Sequence, residues 1–149
     1  MQLSSIVISG MILNLSNLAY AISFRDCGSP GASVTTFSII PCHSLPCVLT
    51  KGHEFTVLFT FTAINSISAG KAKVHAAFET GFGPFPFPDS EVCKCLTPDC
   101  PIMLGKFYTY SYTGMVPEGL HAGSAVIQWQ LLDTEDNSFL CIQFNVDVK

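Results

Sequence analysis

Charge is scarce in this chain. Only 12% of its 149 residues are Asp, Glu, Lys or Arg, about half the share of an average soluble domain. The 7 Lys+Arg never stand side by side, and against 11 Asp+Glu they leave a net charge of −4. A chain without a basic run has nothing to neutralise a phosphate backbone, which excludes nucleic acid as a partner. Reaction motifs are missing too. There is no G-x-S-x-G elbow, P-loop, H-E-x-x-H pair or G-x-G-x-x-G loop, so the common routes to hydrolase, nucleotide and dinucleotide chemistry are closed. The four histidines are scattered, and Glu54 and Glu79 have no carboxylate partner nearby in sequence. No catalytic residue and no cofactor is expected. Helical periodicity is absent as well: no amphipathic 3.6-residue stretch reaches helical length. Apolar residues, in contrast, make up 48% of the chain, with 12 Phe, 4 Tyr and 1 Trp. That balance excludes disorder, and the length fits one domain.

Residues Met1 to Ala21 carry no charged side chain, and Ser9, Gly10, Asn14, Ser16 and Asn17 interrupt their apolar stretch. Spanning a bilayer takes about 20 mostly apolar residues. Ala19-Tyr20-Ala21 fits the small-x-small pattern of signal-peptidase cleavage, and charge begins just beyond it, at Arg25 and Asp26. The expectation is a signal peptide over 1–21 and one secreted domain over 22–149. No second apolar segment is long enough for an anchor.

The dominant period beyond residue 22 is two. In His53 to Ala63, Phe55, Val57, Phe59, Phe61 and Ala63 share one face, and Thr56, Leu58, Thr60 and Thr62 share the other. Such alternation predicts a half-buried strand. Lys71 to Glu79, Lys106 to Tyr112, Gly123 to Leu132 and Phe139 to Val148 repeat it, and weaker strands are expected at Ile22 to Asp26 and Val34 to Ile40. Asp136-Asn137 marks a hairpin turn between the last two strands. Cys42 to Pro46, Asn65 to Gly70 and Gly81 to Asp99 read as loops. About seven short strands with regular turns predict an all-β sandwich or barrel. Its inward faces hold large rings, which either fill a solid core or line a cavity between the sheets.

Seven cysteines in so short a chain point to an oxidising compartment. Spacing suggests Cys42 with Cys47, and Cys100 with either Cys93 or Cys95, leaving Cys27 and Cys141 near the two ends. Zinc is the rival reading, with three thiolates in Cys93-x-Cys95-x4-Cys100 and a histidine as fourth ligand. Zinc knuckles favour two-residue spacers, however, and with a secretory signal no metal site is expected.

Several segments in order carry a resemblance. Phe24-Arg25-Asp26-Cys27-Gly28-Ser29 is followed by Pro41-Cys42-x-x-x-Pro46-Cys47-x-Leu49-x-Lys51-Gly52. Then come Phe85-Pro86-Phe87-Pro88, Cys100-Pro101-Ile102, Lys106-x-Tyr108-x-Tyr110, Trp129-Gln130-Leu131 and Cys141. Over residues 22–149 the chain resembles the soluble Niemann-Pick type C (epididymal secretory protein) family, within the ML (MD-2-related lipid-recognition) domain superfamily.

The resemblance implies an immunoglobulin-like β-sandwich enclosing an apolar lipid pocket. It implies the pairs Cys27–Cys141, Cys42–Cys47 and Cys93–Cys100, with Cys95 as an extra, free thiol. It places Phe55, Val57, Phe59, Tyr110, Ile127, Trp129 and Phe144 on the pocket wall, and Phe85, Val116 and Leu120 at the mouth. Leu120 stands where sterol carriers of the family usually have an aromatic gate residue. A more aliphatic mouth favours fatty acids over sterols. The implied function is a secreted carrier of a sterol or fatty acid, monomeric, touching a membrane or receptor only transiently through Phe82, Phe85 and Phe87. Two alternatives use the same fold: an innate-immune module presenting a microbial lipid, and an accessory protein presenting lipid to a hydrolase. Residues 22–149 hold no Asn-x-Ser/Thr sequon. Without an N-glycan there is no site for the mannose 6-phosphate tag of vertebrate family members, so extracellular delivery is expected over the lysosomal lumen.

Overall fold

The computed structural model describes residues 23–79, 81–84 and 91–149, with residues 82–84 described by backbone alone. The expected signal segment and Phe85 to Pro88 lie outside the described residues. Among the described residues there are ten strand segments: β1 (Arg25–Asp26), β2 (Ala32–Ile40), β3 (Cys47–Leu49), β4 (Glu54–Ala63), β5 (Ala69–Phe78), β6 (Gly81–Pro84), β7 (Leu96–Thr97), β8 (Phe107–Met115), β9 (Gly123–Asp133) and β10 (Ser138–Val148). One 3-10 turn, Val92–Cys95, precedes β7.

The strands form two sheets. One runs β1-β10-β9-β5-β6 with β3 also on β10; the other runs β2-β4-β8-β7. All neighbours are antiparallel except β3, which pairs in parallel with the end of β10, Cys47 opposite Val146. β1 and β3 thus occupy successive stretches of the same edge of β10. The two sheets face each other across one apolar core, the arrangement of an immunoglobulin-like sandwich.

The seven expected strands are all there, because alternation decides which face is buried. Along β4, Phe55, Val57, Phe59, Phe61 and Ala63 are buried while the intervening residues are not. The outer threonines pair across strands: Thr56 with Thr113 at 2.8 Å, and Thr60 with Thr35 at 2.7 Å and with Thr36. β9 and β10 form the expected hairpin. In its turn the Asp133 carboxylate accepts from the backbone N–H groups of Glu135 and Asn137, each at 2.9 Å. Asp136 adopts the left-handed conformation (φ 63°) that aspartate tolerates better than most residues.

Three segments depart from expectation. The expected loop Gly81 to Asp99 holds β6, the 3-10 turn and β7, and β3 follows the Cys42–Pro46 loop directly. Each of these strands is two to four residues long, too short to display a period. Each exists because a longer neighbour offers its edge: β5 to β6, β8 to β7 and β10 to β3. The expected first strand shortens to Arg25–Asp26.

Three disulfides join Cys27 to Cys141, Cys42 to Cys47, and Cys93 to Cys100, the pairs that the resemblance implies, and Cys95 is free. The first, with a sequence separation of 114, binds the two ends of the domain. Beside it, Cys27 N–H donates to the Cys141 carbonyl and the Ser29 hydroxyl accepts from Cys141 N–H, each at 3.0 Å. A bond closing so long a loop restricts the unfolded chain by about 4–5 kcal/mol in the loop-entropy account.

Candidate functional site

β4 brings Phe55 and Val57 to the interior from one sheet, and β9 and β10 bring Ile127, Trp129 and Phe144 from the other. With Ile39 of β2 and Leu49 of β3, these five side chains line an apolar gap between the sheets. All seven lining residues are hydrocarbon or aromatic. No polar or charged residue is fully buried among the described residues. The interior can shelter a hydrocarbon and offers no charge to hold an ionic head group.

The gap is narrow. Its volume is about 10 Å³, near the minimum for a single water and far below the ~300 Å³ at which ligand pockets begin. A ready-made, lipid-sized cavity was expected; rings from both sheets instead interleave and fill it. Phe59 stacks on Tyr110 (centroids 4.7 Å), Tyr110 meets Trp129 edge-on (6.2 Å), and Tyr112 lies 5.4 Å from Trp129 and 6.0 Å from Phe55. Phe37 closes on Phe144 at 4.6 Å.

The implied wall residues therefore fall into two groups. Phe55, Val57, Ile127, Trp129 and Phe144 border the gap. Phe59 and Tyr110, both 0% exposed, sit behind it in packed rings. Val116 and Leu120 are buried where the chain leaves β8, and neither borders the gap. Phe85 lies outside the described residues. Ile39 and Leu49 border the gap but were not singled out from sequence. Ile39 belongs to a strand whose alternation is weak, and Leu49 to a three-residue strand that only its pairing with β10 reveals.

One polar cluster lies beside the gap. The Tyr110 hydroxyl lies beside the Trp129 indole and the Cys95 thiol. Burial, with Cys95 adding to it, pushes the Tyr110 phenol far above its ordinary range. Burial also raises the Cys95 thiol, against a smaller lowering by its hydrogen bond to Tyr110, so the thiolate is disfavoured at neutral pH. Tyr108 has a different task. Its hydroxyl accepts from Met103 N–H at 2.8 Å and donates to the Pro101 carbonyl at 3.1 Å, fastening the 101–103 loop to β8. The zinc reading loses two of its thiolates, because Cys93 and Cys100 are bonded to each other.

The fold and site define a class: a two-sheet β-sandwich with an apolar-lined gap between the sheets. The model of the ML domain matches residues 21–148, and the chain belongs to that family. It is 36% identical over 143 residues to the NPC intracellular cholesterol transporter 2 of Danio rerio, covering 93% of this chain and 95% of the relative. To the protein of the same name from Bos taurus it is 32% identical over 139 residues, covering 93% of each. Among solved structures it resembles a Niemann-Pick type C2 protein from the Japanese carpenter ant, with a TM-score of 0.74 and 26% identity over 85% of this chain and 99% of that one.

Proposed function

We propose that the protein is a secreted carrier that shelters the hydrocarbon part of a sterol or fatty acid between its two sheets. One observation carries the reading: the gap is lined by seven apolar side chains drawn from both sheets, with no buried charge among the described residues. Relatives that match nearly the whole chain are named for cholesterol transport, which supports the same class of cargo. Enclosing ~400 Å² of lipid surface is worth ~10 kcal/mol at ~25 cal/mol/Å². Widening the gap and immobilising the ligand offset part of that, which leaves micromolar to nanomolar affinity, tight enough to carry and loose enough to release.

The protein in this reading is a carrier and not a catalyst. Residues 1–21 direct secretion and are removed after Ala21. Phe82, Phe85 and Phe87 touch the donor or acceptor surface briefly, and the carrier is a monomer. Asp89 and Glu91 follow that apolar segment and no base lies between Phe82 and Glu91, a balance that favours neutral lipid heads over anionic glycolipids. The test is to purify the protein from a secreting host, extract it and identify copurified lipid by mass spectrometry. The delipidated protein is then titrated with a fluorescent sterol and a fluorescent fatty acid. Saturable one-to-one binding of either is the expected result. Absence of copurified lipid together with no binding at about 10 μM, an affinity weaker than about −7 kcal/mol, would sink the reading.

A further inference from the structure

Lipid uptake requires the gap to widen, and most rings around it cannot yield. Phe55, Trp129 and Phe144 are at most 3% exposed, and Phe59 and Tyr110 are locked in a stack behind Trp129. Tyr112 differs. It points inward from β8 with Tyr108 and Tyr110, yet it is only half-buried. Its ring reaches two residues of the gap wall, Phe55 and Trp129. Phe24 and Phe78 are also half-buried, but they pack on Phe37 and His121, neither of which borders the gap.

The Tyr112 ring has a seat. Two residues along the same inward face is Gly114, opposite Phe55 in the β4–β8 register. The ring lies against this glycine. A methyl group at Gly114 would fall 2.6 Å from the Tyr112 hydroxyl oxygen and 2.9 Å from its Cε1 and Cζ carbons, closer than side-chain carbons approach one another. The glycine leaves room for the ring over Phe55, and the Tyr112 ring occupies that room.

We propose that Tyr112 is a removable plug of the lipid pocket, seated on Gly114, and that its departure supplies the first opening for lipid to enter between Phe55 and Trp129. This rests on the carrier reading. A rotamer change moves the ring while both sheets stay hydrogen-bonded. Its exposed side gives it somewhere to go, and an entering hydrocarbon replaces its contacts with Phe55 and Trp129. Tyr112 is thus a residue that sets how fast and how wide a ligand can enter, beyond the residues that line the gap.

The test is stopped-flow uptake of cis-parinaric acid and of dehydroergosterol by delipidated protein. The chain's single tryptophan, Trp129, serves as the energy donor. Tyr112→Ala removes the plug; Gly114→Ala keeps the ring but takes away its seat. Both are expected to associate about tenfold faster than wild type, the scale of weakening the ring's packing on Phe55 and Trp129. Gly114→Ala should also shift Trp129 emission to the red before lipid is added, a signal independent of uptake and of how well Tyr112→Ala folds. Phe107→Ser, at an exposed outward position of the same strand, should leave the rate unchanged. Uptake by wild type with the same rate in both variants would overturn the plug and leave the carrier standing. Unaltered Trp129 emission in Gly114→Ala would overturn the seat. No uptake by any form would overturn the carrier reading and the plug with it.

Discussion

Phe59 shows how one residue separates a packed core from a cavity wall. Alternation puts it on the inward face, where either role is open. In the structure it is 0% exposed and stacked on Tyr110, with the gap on the far side of its neighbours. Phe59→Ala should therefore lower stability by about 3–5 kcal/mol, as deletion of a fully packed ring does, and should alter lipid affinity of the folded fraction little. Thermal melts of delipidated protein beside lipid titrations would show the balance; a near-normal melt with lost binding would place Phe59 on the pocket wall instead. Tyr110 adds a pH dependence. Its phenol is raised by burial, and Cys95 and Tyr112 are raised beside it. Above about pH 10 the unfolded chain releases the Tyr110 proton while the folded chain retains it, so stability falls as pH rises. Tyr110→Phe should remove one proton's share of that fall, up to about 1.4 kcal/mol per pH unit. Denaturant titrations of both forms from about pH 8 to about pH 11 would measure it. Parallel curves for the two proteins would show that another group is responsible.

At the level of strands, the long elements were legible and the short ones were not. A ten-residue strand such as β4 shows its buried face five times, and its period stands out. β7, with two residues, shows nothing until β8 lies beside it. The same limit hid part of the site, since Leu49 reaches the gap only through the parallel pairing of β3 with β10. Tyr112 was legible as the last residue of an alternating run, but its seat depends on how its ring is tilted, and alternation says nothing about tilt. Width escaped as well: a row of inward rings looks the same in sequence whether the rings interlock or stand apart. The β9–β10 turn was readable because its chemistry is local. Asp133 accepts two backbone N–H groups there, so Asp133→Ala should cost about 1–2 kcal/mol. That corresponds to a fall of several degrees in melting temperature for a domain of this size. Asp133→Asn, which keeps an acceptor oxygen, should recover much of it; equal losses in both would shift the credit to the carboxylate's charge.

For the molecule as a whole, the two sheets divide the work. The four-stranded sheet brings most of the interleaved rings, through β4 and β8. The larger sheet holds the first and last strands described, β1 and β10. The core that gives the fold its stability is also the space a ligand must enter, so binding and packing compete for one volume. In the carrier reading proposed above, the empty protein is stable because its rings close on one another, and it opens only as far as its guest demands.

The bond between Cys27 and Cys141 has a topological consequence. Between these two residues the chain is a covalent ring. A protease that cuts it once at any point there, the proline-rich segment included, turns a ring into an open thread and releases no fragment. The cut protein stays one covalent molecule, and it shows its wound only when a reducing agent opens the ring a second time. The first cut is therefore a scar, and a segment can be lost only after a further cut.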